Sequence, residues 1–148
     1  MQPANPRNID NSPYAVRAEK PWGFELLFTP PEKPYVGKLL HVAAGTRLSL
    51  QLHDEKFETI LLLSGRAQLQ VDDEAGELIT IDMLPHAGYH NVPGQRHRLV
   101  ALEDSEFVES STPETGTTYR LEDDAGRGDE TEQMRRSDNR GWRPPLSK

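Results

Sequence analysis

Cysteine is absent from the 148 residues. That excludes disulfides and thiolate-bound zinc, so any metal site has to be built from His, Glu, Asp, Gln or Asn. Long apolar runs are missing as well: none approaches the ~20 residues that span a bilayer. The N-terminal MQPANPRNID lacks the apolar core of a secretory signal, and the expected location is the cytoplasm. There is no basic cluster ahead of the C-terminal stretch. Seventeen Lys and Arg stand against 24 Asp and Glu, a net charge of −7, which argues against a nucleic-acid partner. Hydrophobic residues are scarce at 34%, and the deficit lies at the two ends. The expected organisation is one domain over residues 20–122, preceded by an arm over 1–19. A charged tail over 123–148 is expected to be disordered or to dock through Trp142.

What the middle does hold is short β-type runs. GFELLF, GKLLHVAA, RLSLQLH, TILLLSG, AQLQVDD, ELITIDML, HRLVALE and EFVESST follow one another, bounded by Gly, Pro or acidic pairs. Several alternate with period two. Leu48, Leu50 and Leu52 face one way, while Arg47, Ser49, Gln51 and His53 face the other. No stretch of the middle carries a helical period. The pattern predicts an all-β sandwich or barrel. In a barrel, the polar face of Arg47 to His53 can line a lumen. Leu61, Leu62, Leu63, Met83 and Leu84 are expected in the core.

Metal-type residues recur at short intervals. Gln51 and His53 are two apart and share a strand face. Glu58 follows across a short acidic turn, and a hairpin there brings it beside them. His97 comes after a Pro93-Gly94 turn. Together they offer an amide oxygen, two imidazoles and a carboxylate. Such a mixed nitrogen and oxygen set suits one divalent transition metal, with Zn, Ni, Mn and Fe all admissible. His90 is expected at or inside the barrel mouth, and His41 in a structural or exposed position. Glu109 reads as an ion-pair partner or a base.

Gly45, Gln51, His53, Glu58 and Gly65 fit the first motif of the cupins, G-x5-H-x-H-x3,4-E-x6-G, with Gln in place of the first His. Gly94 and His97 fit the second. The fold implied is the cupin barrel, a double-stranded β-helix or jelly roll. Lys20 to Glu25 (KPWGFE), Arg47 to His53 (RLSLQLH), Pro93 to Arg98 (PGQRHR) and Tyr119 to Arg127 (YRLEDDAGR) further resemble the cupin domain of type II mannose-6-phosphate isomerases. That family uses Q-x-H as its ligand pair. The sequence departs from it at Gly116 and Thr117, which replace an acidic pair, and at Ala125, which replaces a tyrosine.

The resemblance implies Zn²⁺ and an isomerase or epimerase acting on a carbohydrate-like small molecule, a sugar or sugar phosphate. The metal acts there as a Lewis acid while a base carries the proton. His90, Glu109 and Lys38 are the candidate catalytic groups. Arg47, Arg96 and Arg120 are the candidate substrate anchors, Arg120 because it matches the arginine of the family's closing motif. An iron-dependent dioxygenase and a non-catalytic sugar-binding cupin are the alternatives. A homodimer is also expected. Small cupins commonly pair, and Tyr14, Val16 and Trp22 read as apolar groups with little domain of their own to cover them.

Overall fold

A computed structural model describes residues 11–137. Trp142 and the first ten residues lie outside that range. Eleven strands carry the described fold: β1 (Val16–Lys20), β2 (Gly23–Leu27), β3 (Val36–Val42), β4 (Leu50–His53), β5 (Glu58–Ser64), β6 (Ala67–Asp72), β7 (Leu78–Asp82), β8 (Gly88–Asn91), β9 (His97–Ala101), β10 (Ser105–Ser111) and β11 (Thr118–Glu122). A single short helix, α1 (Glu132–Ser137), follows them. The expected all-β architecture is what the chain forms.

The strands make two antiparallel sheets. One has the order β1-β2-β3-β10-β5-β8 and the other β11-β4-β9-β6-β7. Period-two alternation turns one face of each sheet toward the other. Leu40, Val42, Ile60, Leu62 and Phe107 from the first sheet pack against Leu69, Val71, Leu99 and Ala101 from the second. Trp22, Leu48, Ala67 and Met83 complete this core. Gly65 makes the β5–β6 turn with φ at 93°, and a Cβ there would run into the Asp104 carbonyl.

Several expectations need correcting. Ile60 and Leu62 take the inward positions of β5, so Leu61 is half-buried and Leu63 is exposed. Leu84 lies past the end of β7 and is 67% exposed, unlike its neighbour Met83. The alternation read from Arg47 to His53 holds only from Ser49 onward. Residues 48 and 49 interrupt the strand: Leu48 joins the core, and Arg47 is exposed. Val16 and Trp22 are buried within the chain itself, so they supply no motive for a second copy.

The charged stretch after β11 is not a loose tail up to residue 137. Glu130 and Arg135 are buried, and Glu130 exchanges two backbone hydrogen bonds with Thr118. Composition misleads here because opposite charges neutralise one another once folded. Arg135 Nε donates to Glu130 Oε1 at 2.8 Å, and Arg120 Nη2 donates to Glu130 Oε2 at 2.9 Å.

Candidate metal centre

β4 lies between β9 and β11, and this order assembles the centre. Gln51 stands directly opposite His97 of β9 and Arg120 of β11, and His53 stands opposite Thr118. Directly opposed residues of antiparallel strands point to the same face. Glu58 opens β5 in the other sheet and meets the histidines across the lumen.

His53 Nε2 lies 3.1 Å from Glu58 Oε1, and His97 Nε2 lies 3.3 Å from Glu58 Oε2. The two imidazole rings are 5.0 Å apart between centroids. All three residues are buried, and one ligand atom from each falls within 4.8 Å of the others. The donor set is tested by its hydrogen bonds. His97 Nδ1 faces the Gln95 carbonyl at 3.0 Å, so Nδ1 carries the proton and donates. Its Nε2 is buried and, though 3.3 Å from Glu58 Oε2, makes no well-formed hydrogen bond, as a nitrogen reserved for a metal would not. His53 Nδ1 meets the Thr118 hydroxyl at 2.9 Å. Hydroxyls donate or accept, so either tautomer of His53 is served. His53, Glu58 and His97 therefore fit a divalent cation, and Gln51 lines the same cavity with an amide.

The centre's charge balance extends beyond the ligands. Lys56 Nζ lies 3.3 Å from Glu58 Oε1, 2.8 Å from Glu109 Oε2 and 3.4 Å from Glu114 Oε1. Lys38 pairs with Glu114 and lies 3.3 Å from Glu25 Oε1. All these groups are buried. Burial works against the charge on Lys56, but Glu109, Glu58 and Glu114 outweigh it and raise its pKa well above the ordinary value. Lys38 is raised too, with Glu114 and Glu25 overcoming burial. Burial opposes ionisation of Glu58, yet Lys56 and the two histidines hold its carboxyl well below the usual range. Burial lowers His53. In His97 the Glu58 carboxylate outweighs the same effect and the net direction is up.

His53, Glu58, Lys56, Glu109, Glu114, Lys38 and Glu25 line one cavity of about 70 Å³, together with Trp22, Leu48, Ser49, Thr118, Arg120 and Glu130; His97 is not among its lining residues and adjoins it through Glu58. Of the candidate catalytic groups, Glu109 and Lys38 are in this cavity and His90 is not. On β8, Asn91 takes the inward position and donates Nδ2 to Glu58 Oε2 at 2.9 Å. His90, one residue away, therefore points outward and meets Thr59 Oγ1 at 2.8 Å. Of the candidate substrate anchors, Arg120 lines the cavity. Arg47 pairs on the surface with Asp124 at 2.8 Å, and Arg96 pairs with Asp72 at 2.8 Å. His41 stacks on Phe24 at 4.9 Å, away from the cavity. The sequence reading missed Lys56, Asn91, Glu114 and Thr118. Lys56 and Asn91 had a usable signal: one sits two before Glu58, and the other has the right parity on β8.

No protein-family model and no curated protein sequence matches the chain. Solved structures do. Oxalate decarboxylase from Bacillus subtilis superposes with a TM-score of 0.65 at 18% identity, over 77% of this chain and 33% of that one. The chain thus spans about a third of the decarboxylase. A structure of the same enzyme in work on its Mn(II) centres gives a TM-score of 0.63 at 17% identity. KdgF from Halomonas sp. gives 0.54 at 17% identity, over 64% of this chain and 82% of that one. The chain has the cupin fold. No helix among the described residues is long and apolar enough to cross a membrane.

Proposed function

We propose that this chain is a metal-dependent enzyme that relocates a proton on a small carbohydrate-like substrate, as an isomerase or epimerase does. The observation that carries this reading is a cluster of His53, Glu58 and His97 whose His53 and Glu58 share one cavity with the buried Lys56, Glu109, Glu114 and Lys38. A divalent ion held by the first three, with Gln51 beside them, supplies Lewis-acid polarisation of a substrate oxygen. Zn²⁺ follows from the isomerase resemblance. Mn²⁺ is the second choice, since the decarboxylase of the same fold has Mn(II) centres.

The chain's own residues divide the remaining work. Lys56 stays protonated across the neutral range, so it serves as a fixed positive charge and hydrogen-bond donor. Glu109, 2.8 Å from Lys56, is the carboxylate placed to take a proton from a carbon beside a carbonyl. Arg120 meets the substrate's hydroxyls or phosphate from the opposite wall. Apolar Trp22 and Leu48 exclude water from the remaining surface.

The likeness to oxalate decarboxylase favours a second reading, an enzyme for a small carboxylate. One experiment separates them. Metal-loaded protein is incubated in D₂O with aldose and ketose phosphates and, separately, with two- to four-carbon dicarboxylates. Deuterium entering a sugar beside its carbonyl, and lost with Glu109→Gln, supports the first reading. Consumption of a dicarboxylate alone supports the second. Metal bound with neither reaction supports a binding module.

A further inference from the structure

Arg135 of α1 reaches back over the barrel and is almost completely buried. Its Nη1 donates to the Gly116 carbonyl at 2.8 Å and to the Glu114 carbonyl at 3.1 Å. Its Nη2 donates to Thr118 Oγ1 at 3.2 Å. Thr118 Oγ1 is in turn 2.9 Å from His53 Nδ1. One guanidinium therefore holds the loop that carries Glu114 and the hydroxyl that supports a ligand imidazole. The segment before β11 is shaped for this grip. Gly116 has φ at 73°, and a Cβ there would strike the Asp54 carboxylate.

Guanidinium donates and never accepts, so Arg135 occupies one lone pair of Thr118 Oγ1. The hydroxyl proton and the second lone pair remain, and either can face His53. While His53 Nε2 donates to Glu58, Nδ1 accepts the Thr118 hydroxyl proton. When Nε2 is a ligand, Nδ1 carries the proton and donates to Thr118. A hydroxyl serves both arrangements, and Arg135 holds it in place for each.

We propose that Arg135 is a positioning residue for the metal centre, acting through Thr118 on His53. The segment of residues 123–135 is then a clasp that completes the centre. This rests on His53, Glu58 and His97 being the ligands. Lysine at position 135 keeps the charge facing Glu130 but cannot reach two carbonyls and a hydroxyl at once. Valine at position 118 keeps the shape and removes the hydroxyl.

The test measures Zn²⁺ and Mn²⁺ affinity by competition with a chelating dye for wild type, Arg135→Lys, Thr118→Val and the double variant. Each single variant is expected to bind at least about tenfold more weakly, the scale of lost outer hydrogen bonds on metal histidines. The double variant should be little weaker than either single one, because both break the same chain. In ¹⁵N spectra of the metal-loaded protein, the His53 Nδ1–H signal should shift in both single variants. Variants that melt earlier yet bind as tightly as wild type, with His53 unmoved, overturn the proposal and leave Arg135 a structural residue. Additive losses in the double variant overturn the route through Thr118. A wild type that takes up no metal overturns the ligand assignment itself.

Discussion

Asn91 Nδ2 donates to Glu58 Oε2 at 2.9 Å, and the two residues stand directly opposite each other on β8 and β5. The amide holds the same carboxylate oxygen that His97 Nε2 faces at 3.3 Å, and so fixes the carboxylate's orientation. Asn91→Ala is expected to weaken metal binding about tenfold or more while the barrel still folds. Asn91→Asp should be worse, because it sets a second carboxylate against Glu58. Chelator competition and thermal melts on both variants check this.

The candidate ligands give the sharpest expected loss. His53→Ala or His97→Ala removes one of two nitrogen donors and should abolish binding measured by elemental analysis. Gln51→His should retain the metal, since imidazole is the stronger donor at a position facing the same lumen. Full metal content in both alanine variants would mean that the centre lies elsewhere.

Much of this centre was legible in the sequence. The interval from Gln51 to His53 is one strand period, and the step to Glu58 is one hairpin, so local geometry fixes both. Other parts were hidden for definite reasons. Lys56 sits in the turn between two ligands and reads as a solvated charge. His90 and Asn91 differ only in parity, and that is settled by how β8 pairs with β5. Glu130 and Arg135 read as part of a charged tail, and Glu114 as a plain loop residue of the domain, because mutual neutralisation of distant charges leaves no local pattern.

Glu109 and Lys56 should separate chemistry from architecture. Glu109→Gln is expected to keep its metal within a few fold and to lower kcat about a hundredfold or more, the scale of a lost general base. Lys56→Met should instead cost stability. It leaves Glu58, Glu109 and Glu114 without their shared cation, and breaking a buried pair costs about 3–5 kcal/mol. Urea unfolding read beside steady-state kinetics tells the two apart. Equal effects of both variants on kcat and stability would count against the division of roles.

Acid should loosen the surface before the core. Arg96 hydrogen-bonds Asp72, and Arg127 hydrogen-bonds Asp123, and each guanidinium lowers its partner's pKa despite some burial. A carboxyl depressed in the folded chain adds stability above its unfolded value of about 3.9. That contribution is lost as pH falls through the lower folded value. Between pH 5 and 2 the urea midpoint should fall, and in the Asp72→Asn, Asp123→Asn double variant it should fall less. A double variant with the wild-type slope would place the acid sensitivity elsewhere.

The order β11-β4-β9 also sets a timetable. His53, Glu58 and His97 have all been translated before Thr118, and Thr118 precedes Arg135. A growing chain that has just exposed its ligands to the cell's metals still lacks the strand flanking β4 and the hydroxyl beside His53. Synthesis from the N-terminus at about 5–20 residues per second leaves that interval open for a few seconds. With Arg135 in its proposed role, captured metal is held most firmly only after the last charged turn arrives, and the nascent chain can still exchange an ion taken up early.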